Sequence, residues 1–277
     1  MTGSRDRVAS IHSDMPQPFY FGNPDRPLLG LRHAPATTAR AAILLCAPLL
    51  QDGICCQRAL WSLAESLAAA GVETLRFDWH GSGDSPGDSR DLRAEGLVDD
   101  VAAAAAFLAA SVPGRARWLA LREAALPLLA HAGRAGVPVD VVLWDPVLDG
   151  RALVARWRRQ HGQQLHAAGR FLSKDVDCGG DELLGFVLDP ALSAGLAGCD
   201  GTRVVLPAGS RLAVARWPHS PLDEAFVARQ RAAGVEVETI ALDAADAPDW
   251  DDPGQFELQW FPRRAVNRLA ARLAAAA

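Results

Sequence analysis

Charged residues directly follow two short apolar segments of the chain. Arg122 and Glu123 come after Arg117–Leu121, and Asp145 comes after Val139–Trp144. Short apolar runs are typical of buried strands in parallel sheets, and ligands bind in the crevice outside the carboxyl ends of such strands. We therefore expect these three side chains to lie at one edge of a sheet and to belong to the candidate pocket.

Arg122 and Asp145 allow two interpretations. Asp145 precedes Pro146, and an aspartate before a proline commonly organises a turn; it would also pair with a neighbouring arginine such as Arg122. Alternatively, Asp145 contacts a ligand, and the planar fork of Arg122 holds a carboxylate or a phosphate. In neither case is Arg122 a nucleophile, because a guanidinium stays protonated in proteins.

A pair of cysteines follows the loop Pro48–Gly53, which adds Leu49, Leu50 and Asp52 to the candidate pocket. Cys55, also placed in that pocket, would be a nucleophile if a helix N-terminus lowered its pKa. Alternatively, one cysteine of the pair Cys55 and Cys56 is a small core residue of the first helix. The five cysteines contain no Cys-x-x-Cys spacing, so neither a metal site nor a cofactor is expected, and the thiols are expected to be reduced.

Histidines and tryptophans with binding potential are scattered along the chain. Each histidine lacks an inferable partner and is interpreted as a structural or surface residue: His80, His161, His166 and His219. The tryptophans line an acyl or aromatic pocket or, more simply, pack in the core: Trp144, Trp157, Trp217, Trp250 and Trp260.

Segments with strand and helix patterns alternate along the chain. The pattern predicts an entry hairpin in Phe19–Arg32 and strands Ala41–Cys46, Val72–Phe77, Arg117–Leu121, Val139–Trp144, Arg203–Leu206 and Val235–Ile240. It predicts helices Gln57–Ala70, Leu92–Ala110, Glu123–His131, Leu222–Ala233 and one from Arg263. This order indicates an α/β fold with a mostly parallel sheet, helices on both faces and right-handed crossovers.

One stretch interrupts this alternation. Residues 149–200 hold an amphipathic segment, Leu153–Leu165, then a loop with Gly179, Gly180 and Asp181, and a second short helical piece. We interpret 149–200 as an inserted lid. The predicted organisation is a flexible N-terminus over 1–18 and a single domain over 19–277.

The composition is that of a globular chain with one large core. Of its 277 residues 49% are hydrophobic, and the formal net charge of −5 arises from interspersed basic and acidic residues, so no nucleic-acid partner is expected. The apolar runs are far shorter than the roughly 20 residues of a membrane-spanning helix, so no transmembrane segment is predicted. Residues 1–18 lack a secretory-signal pattern, and a cytoplasmic location is the expectation.

The segment Leu75–Ser85 resembles the strand and turn that α/β-hydrolases of the serine aminopeptidase-like group carry after their fourth strand. Other stretches are similar to the second hydrolase family associated with the exosortase A system of bacterial exopolysaccharide and protein-sorting genes. These stretches are Phe77–Gly87, Trp118–Ala125, Leu143–Val147 and Glu182–Ser193. The resemblance implies an α/β-hydrolase fold and acyl or ester hydrolysis linked to cell-envelope or exopolysaccharide precursors.

Under this resemblance, the usual catalytic triad is missing. The fold places its serine in a Gly-x-Ser-x-Gly turn between strand and helix, and the matching turn Ala120–Ala124 has Arg122 at the serine position. The acid is expected in Pro207–Trp217 and the histidine in Ala241–Pro262, but the first has no carboxylate and the second no histidine. The loop Pro48–Gly53 would supply backbone N–H groups to an oxyanion hole.

Two functions follow. The chain is either an acyl or ester hydrolase with an unusual mechanism or a catalytically inactive pseudohydrolase. In the second case, the old cleft binds a small acyl or anionic ligand or a partner protein.

Overall fold

The architecture is a single large sheet with helices on both faces. A computed structural model describes residues 16–112, 114–166, 182–218, 220, 223–255 and 258–276. Its eight-stranded sheet comprises β1 (Gln17–Asn23), β2 (Arg26–His33), β3 (Ala41–Cys46), β4 (Val72–Phe77), β5 (Arg117–Leu121), β6 (Asp140–Trp144), β9 (Arg211–Arg216) and β10 (Glu236–Ala241). The strand order is β1-β2-β4-β3-β5-β6-β9-β10; β2 is antiparallel to both of its neighbours, and the other pairs are parallel.

Apolar side chains point alternately to the two faces of the sheet, and on each face they pack against a layer of helices. In β3, Leu44 belongs to one buried cluster, whereas Ile43 and Leu45 belong to the other, as the two-residue period of a strand requires. The described helices are α1 (Leu50–Ala69), α2 (Ala94–Ser111), α3 (Ala125–Ala132), α4 (Gly150–Leu165), α5 (Pro190–Ala197), α6 (Glu224–Ala232) and α7 (Arg263–Ala275). Helices α1 and α7 cover one face of the sheet, and α2, α3 and α6 cover the other.

The pairing of β5 with β6 fixes the position of the candidate pocket. Leu121, the last residue of β5, is opposite Trp144, the last residue of β6. The residues that follow these strands, Arg122 and Asp145, therefore leave the sheet side by side at the same edge. This confirms the predicted mostly parallel sheet and the predicted ends of both strands.

The segment between β6 and β9 contains α4, a small hairpin of β7 (Glu182–Leu183) and β8 (Phe186–Val187), and α5. Its two ends meet, because Asp149 and Asp200 form an isolated antiparallel bridge. A segment with adjoining ends can be inserted without displacing the sheet around it. The predicted Gly179, Gly180 and Asp181 loop lies outside the described residues, as do most of the predicted flexible N-terminus, Cys178 and His219.

The first helix begins earlier than predicted. Helix α1 starts at Leu50 rather than Gln57, so most of the predicted loop Pro48–Gly53 belongs to its first turn. Gly53 permits this start, since a Cβ there would lie 2.5 Å from the Pro48 carbonyl oxygen. Gly53 is therefore required by a close backbone contact inside the helix.

The predicted strand Arg203–Leu206 is wrong. Gly201–Arg203 form a 3-10 turn, and the strand of this region is β9, Arg211–Arg216. The buried Gln230 side chain of α6 donates to the Val204 carbonyl and accepts from the Leu206 N–H, at 2.6 and 3.1 Å. A side chain thus satisfies backbone groups that a neighbouring strand would otherwise bind.

Gly150→Ala should destabilise the inserted segment. Gly150 begins α4 and donates its N–H to the Cys199 carbonyl at 3.0 Å. A Cβ at this position would overlap the Leu196 carbonyl oxygen. We expect a loss of about 1–3 kcal/mol in the free energy of unfolding, because backbone must move to admit the methyl group. Gly162→Ala in the same helix is the control: apart from its own helix backbone, no atom of the described residues lies within 4 Å of its Cβ position, so it should be neutral or stabilising. If urea unfolding gave the two variants the same free energy of unfolding, the close contact between Gly150 and the Leu196 carbonyl would be contradicted.

Candidate functional site

Three residues of the candidate pocket have left-handed backbone conformations that side chains other than glycine rarely adopt. The φ angles are +50° at Leu50, +58° at Arg122 and +46° at Asp145. Such conformations cost on the order of 1–3 kcal/mol each and concentrate at functional sites. The turn at Arg122 is the sharp strand-to-helix turn between β5 and α3, and the buried Ala120 and Ala124 on either side of it have small side chains. The geometry of a nucleophile turn is therefore present with an arginine at its apex.

The Arg122 guanidinium is buried between a carboxylate and an indole. Its NH1 donates to Asp145 Oδ2 at 3.1 Å, and its Cζ lies 4.2 Å from the centre of the Trp250 ring. The indole N–H of Trp250 donates to the same Asp145 oxygen at 2.8 Å. The Arg122 and Asp145 side chains are only 8% and 6% exposed, so this is a buried ion pair. Asp145 therefore fixes both the cation and the aromatic ring that stacks on it.

A second arginine joins the site from the inserted segment. Arg156 of α4 donates through NH2 to Asp52 of α1 at 2.6 Å, and Asp52 also lies 3.8 Å from Arg122 Nε. Sequence reasoning missed Arg156, which differs in no visible way from its neighbours Arg158 and Arg159. Only the packing of α4 over the sheet edge distinguishes it.

Glu123 binds the backbone of the segment that precedes α1. Its Oε1 accepts the Leu49 backbone N–H at 2.7 Å, and the residue is fully buried. Burial, followed by the charge of Asp52, raises the pKa of Glu123 to about 8, against the opposing effects of Arg122, Arg156 and the residue's own backbone N–H. At neutral pH the Glu123 carboxyl is therefore largely protonated. The charges of Arg122 and Arg156 are then balanced by those of Asp52 and Asp145.

A cavity of about 870 Å³ opens beside Arg122. Arg122, Asp145 and Arg156 contribute charged groups to its lining, and Ser220 contributes a hydroxyl. The apolar part of the lining consists of Pro146, Val147, Leu148, Ala152, Leu153, Ala244, Ala247, Pro248 and Trp250. The volume is in the range of small-molecule sites, and half of the lining residues are apolar.

Four further aspartates line the same cavity, and each has a structural contact. Asp149 and Asp223 cap α4 and α6 by accepting backbone N–H groups at 3.0 and 2.9 Å. Asp249 accepts the Asp251 N–H at 3.1 Å, and Asp251 pairs with the exposed Arg159 at 3.1 Å. Asp149, Asp249 and Asp251 are exposed, which indicates that they lie towards the solvent side of the cavity.

The other residues of the predicted pocket lie close by but do not all face this cavity. Asp52 and Cys55 line a second cavity of about 170 Å³, which shares Trp250 with the first. Leu49, Leu50 and Glu123 are buried and are among the lining residues of neither. Burial raises the pKa of Cys55 and, more strongly, that of Cys56, which favours the alternative of small buried residues of the first helix.

The loop in which sequence reasoning placed the acid was the wrong one. Because β9 is Arg211–Arg216, the loop after this strand starts at Trp217 and ends at Asp223, the cap of α6. Asp223 lines the main cavity and was missed. The turn at Pro207–Gly209 followed by the apolar alternation of β9 was the signal that could have located it.

The loop after β10, where the resemblance places a histidine, contributes Trp250 instead. The described histidines have local contacts: His161 Nδ1 accepts the Leu184 N–H at 3.1 Å, and His166 Nδ1 lies 2.6 Å from the Gly162 carbonyl oxygen. The His80 backbone N–H donates to Asp100 at 3.0 Å. Among the residues that the structure describes, no hydrogen bond joins a histidine to a serine.

Both interpretations of the tryptophans apply, to different residues. Trp144, Trp157 and Trp217 are buried in the core, whereas Trp250 lines the cavity. Trp260 connects the two groups, with ring centres 5.5 Å from Trp144 and 4.9 Å from Trp250. The wall of the cavity is thereby anchored in the core.

The same two strands carry a second buried arginine–aspartate pair at their other ends. Arg117 begins β5 and donates to Asp140, the first residue of β6, at 3.0 Å; the side chains are 11% and 12% exposed. This pair resembles that of Arg122 and Asp145 but is absent from the lining of the main cavity. It offers a matched control for experiments on the site.

Within the described ranges, no three histidine, cysteine, aspartate or glutamate residues are grouped so that they could hold a metal ion. None of the helices described has the length and apolar character needed to cross a membrane.

Solved structures similar to this chain are α/β-hydrolases. An α/β serine hydrolase homologue from Coxiella burnetii is 15% identical, with 94% of this chain and 96% of that chain covered and a TM-score of 0.54. Est1E from Butyrivibrio proteoclasticus with bound ferulic acid is 12% identical (93% and 97% covered, TM-score 0.59). An esterase from Pyrococcus furiosus is 14% identical (96% and 93% covered, TM-score 0.58). No protein-family profile and no curated protein matches the chain. The chain therefore has the α/β-hydrolase fold, and these low identities establish the fold alone.

Removal of the Arg122 charge should strongly destabilise the protein. Arg122→Met leaves the Asp145 carboxylate buried with the Trp250 indole as its remaining described side-chain partner, and we expect a loss of about 3–5 kcal/mol in the free energy of unfolding. Adding Asp145→Asn should recover part of this loss. Urea unfolding measures the free energy of unfolding of the single and the double variant. Arg117→Met, which breaks the similar ion pair at the other end of the two strands, should lose a similar amount. A loss below about 1 kcal/mol would show that the pair is no stronger than an exposed one.

Glu123 should make the protein less stable as pH rises. Its pKa in the folded state, about 8, lies above the ordinary value of 4.5, so between these values the folded state binds a proton that the unfolded state has lost. The free energy of unfolding should therefore fall from about pH 4.5 to 8 because of this group. Glu123→Gln should remove that part of the dependence and be more stable than the wild type at pH 8. Exposed Glu224→Gln is the control, and identical pH profiles for the wild type and Glu123→Gln would contradict the assignment.

Proposed function

We propose that this protein is a pseudohydrolase that binds a small molecule in the cavity beside Arg122 and does not cleave it. The observation that carries the proposal is the Arg122 guanidinium at the apex of the strand-to-helix turn, bound to Asp145 and stacked on Trp250. A serine enzyme of this fold needs its nucleophile at this point. A permanently protonated guanidinium can bind and orient a ligand, but it cannot attack an acyl carbon.

The surroundings of Arg122 support the same conclusion. In hydrolases of this fold, backbone N–H groups next to the nucleophile stabilise the oxyanion of the transition state. Here the Leu49 N–H already donates to the buried Glu123 carboxyl at 2.7 Å. The loop after β10 contributes Trp250, whose indole N–H can donate to Asp145 but cannot accept a proton from a nucleophile.

Acyl or ester hydrolysis is the second candidate, and the hydrolases among the structural neighbours favour it. The cavity would need a nucleophile other than the residue at the turn, and Ser220 is the serine in its described lining. A link to cell-envelope or exopolysaccharide precursors and a cytoplasmic location rest on the sequence alone. For a binding function, the neighbour Est1E is informative because it has been solved with a carboxylic acid, ferulic acid, bound.

The purified protein should not react with a fluorophosphonate probe, and it should hydrolyse p-nitrophenyl butyrate no faster than its Arg122→Ala variant. The reason is that no serine stands at the turn beside a proton acceptor. A serine hydrolase of the same fold, treated in parallel, is the positive control. Stoichiometric labelling that is lost in Ser220→Ala would refute the proposal and identify the nucleophile.

A further inference from the structure

We propose that the cavity binds a molecule with one carboxylate and an apolar body, and that Arg122 anchors the carboxylate. This inference rests on the proposed binding function and specifies its ligand. It depends on three features of the cavity: unused donors at the charged end, apolar walls, and a ring of aspartates towards solvent.

The charged end of the cavity holds guanidinium groups with unused hydrogen-bonding capacity. Of the Arg122 nitrogens, NH1 alone donates a hydrogen bond in the described part of the chain, and the buried Nε has no hydrogen-bond partner. Arg156 donates through NH2, while its buried Nε and NH1 also have no partner. The Arg122 side chain is 8% exposed, and it lines the cavity. The unpartnered Nε and NH1 atoms are themselves buried, so the Arg122 NH2 group, which donates no hydrogen bond within the described residues, is the donor left for a ligand, and Arg156 contributes its charge. A charged donor of this kind favours an acceptor that carries negative charge.

The backbone at this end also favours an anion. Arg122 begins a 3-10 turn that continues into α3, so the N-terminal end of a helical segment lies at the charged end of the cavity. Such ends carry partial positive charge and attract carboxylates and phosphates. This adds to the arginine donors without adding a further ionised side chain.

Apolar walls next to the charged end determine the rest of the ligand. Val147, Leu148 and Leu153 lie on the side of β6 and α4, and Pro248 and Trp250 lie in the loop after β10. A hydrocarbon or aromatic body placed among these residues gains free energy from leaving water, in proportion to the apolar surface that it buries. A bare inorganic anion would gain nothing from these walls.

The aspartates restrict the charge of the ligand to a single negative charge. Asp149, Asp223, Asp249 and Asp251 line the same cavity, and among the described residues Asp251 is the one of the four that pairs with an arginine. At neutral pH the buried arginines are balanced by Asp52 and Asp145. A dianion would therefore meet uncompensated negative charge, whereas a monocarboxylate brings the least charge that can still use the arginine donors.

The first test uses the wild-type protein and four probes with the same apolar chain: octanoate, octanamide, octyl phosphate and octylamine. Isothermal titration calorimetry at neutral pH should give the tightest binding for octanoate, with octanamide at least tenfold weaker because it lacks the charge. Octyl phosphate should also be weaker than octanoate. Because no variant is involved, this comparison is independent of any effect of mutation on folding.

The second test uses substitutions at matched arginines. Arg122→Lys keeps the charge but loses the planar fork, and we expect at least tenfold weaker octanoate binding with octanamide binding unchanged. Arg117→Met removes a similar buried arginine outside the main cavity and should leave octanoate affinity within twofold of the wild type. Thermal melting of each variant verifies that the titrated protein is folded.

The outcomes separate this inference from the proposed function. Equal affinity for octanoate and octanamide, or tighter binding of octyl phosphate or octylamine, would overturn the carboxylate anchor while leaving a binding cleft in place. Unchanged octanoate affinity in folded Arg122→Lys would overturn the role of Arg122. Binding of none of the four probes would overturn the ligand class. Fluorophosphonate labelling or ester hydrolysis would refute the pseudohydrolase itself.

Discussion

The ion pair between Arg122 and Asp145 is the constraint from which the rest of the site follows. A guanidinium cannot lose its proton, so burying Arg122 requires a counter-charge within the fold. Asp145 supplies it because β5 and β6 are adjacent and end at the same level. Both residues adopt left-handed backbone conformations to leave the sheet towards each other. Asp145 in turn fixes the indole of Trp250, which stacks on the guanidinium and belongs to the wall of the cavity.

Charge balance extends this constraint to the inserted segment. Asp52 approaches Arg122 and binds Arg156, and so connects helix α1 under the sheet edge with helix α4 above it. Glu123 would add a third negative charge to two arginines and two aspartates. Its burial and the charge of Asp52 instead keep it protonated at neutral pH, where it accepts the Leu49 N–H. The site is thus an assembly of five ionisable groups whose charges cancel.

The strained turn is preserved although the chemistry that normally requires it is not supported by the residues around it. Left-handed conformations at Leu50, Arg122 and Asp145 each oppose folding, and strain of this kind persists where the surrounding structure determines it. Here the strained residues Arg122 and Asp145 place a cation and a carboxylate, together with the Trp250 ring, in the lining of a large cavity. Under the proposed function, this arrangement recognises a ligand. The tryptophan cluster that joins Trp250 through Trp260 to the core anchors this wall of the cavity.

The sequence by itself determined the central strands of the sheet and the residue that follows β5, because these depend on local patterns. Short apolar runs with the right spacing located β3 to β6, and Arg122 stands in the printed sequence where a nucleophile would be. The start of α1 and the position of β9 were decided by tertiary contacts: the approach of the Pro48 carbonyl to Gly53 and the capture of backbone groups by Gln230. Only the tertiary structure brought Arg156, Asp223 and Trp250 into one cavity with Arg122. Their neighbours along the chain carry no sign of this, since a contact between distant segments depends on how helices pack over a sheet and not on any local period.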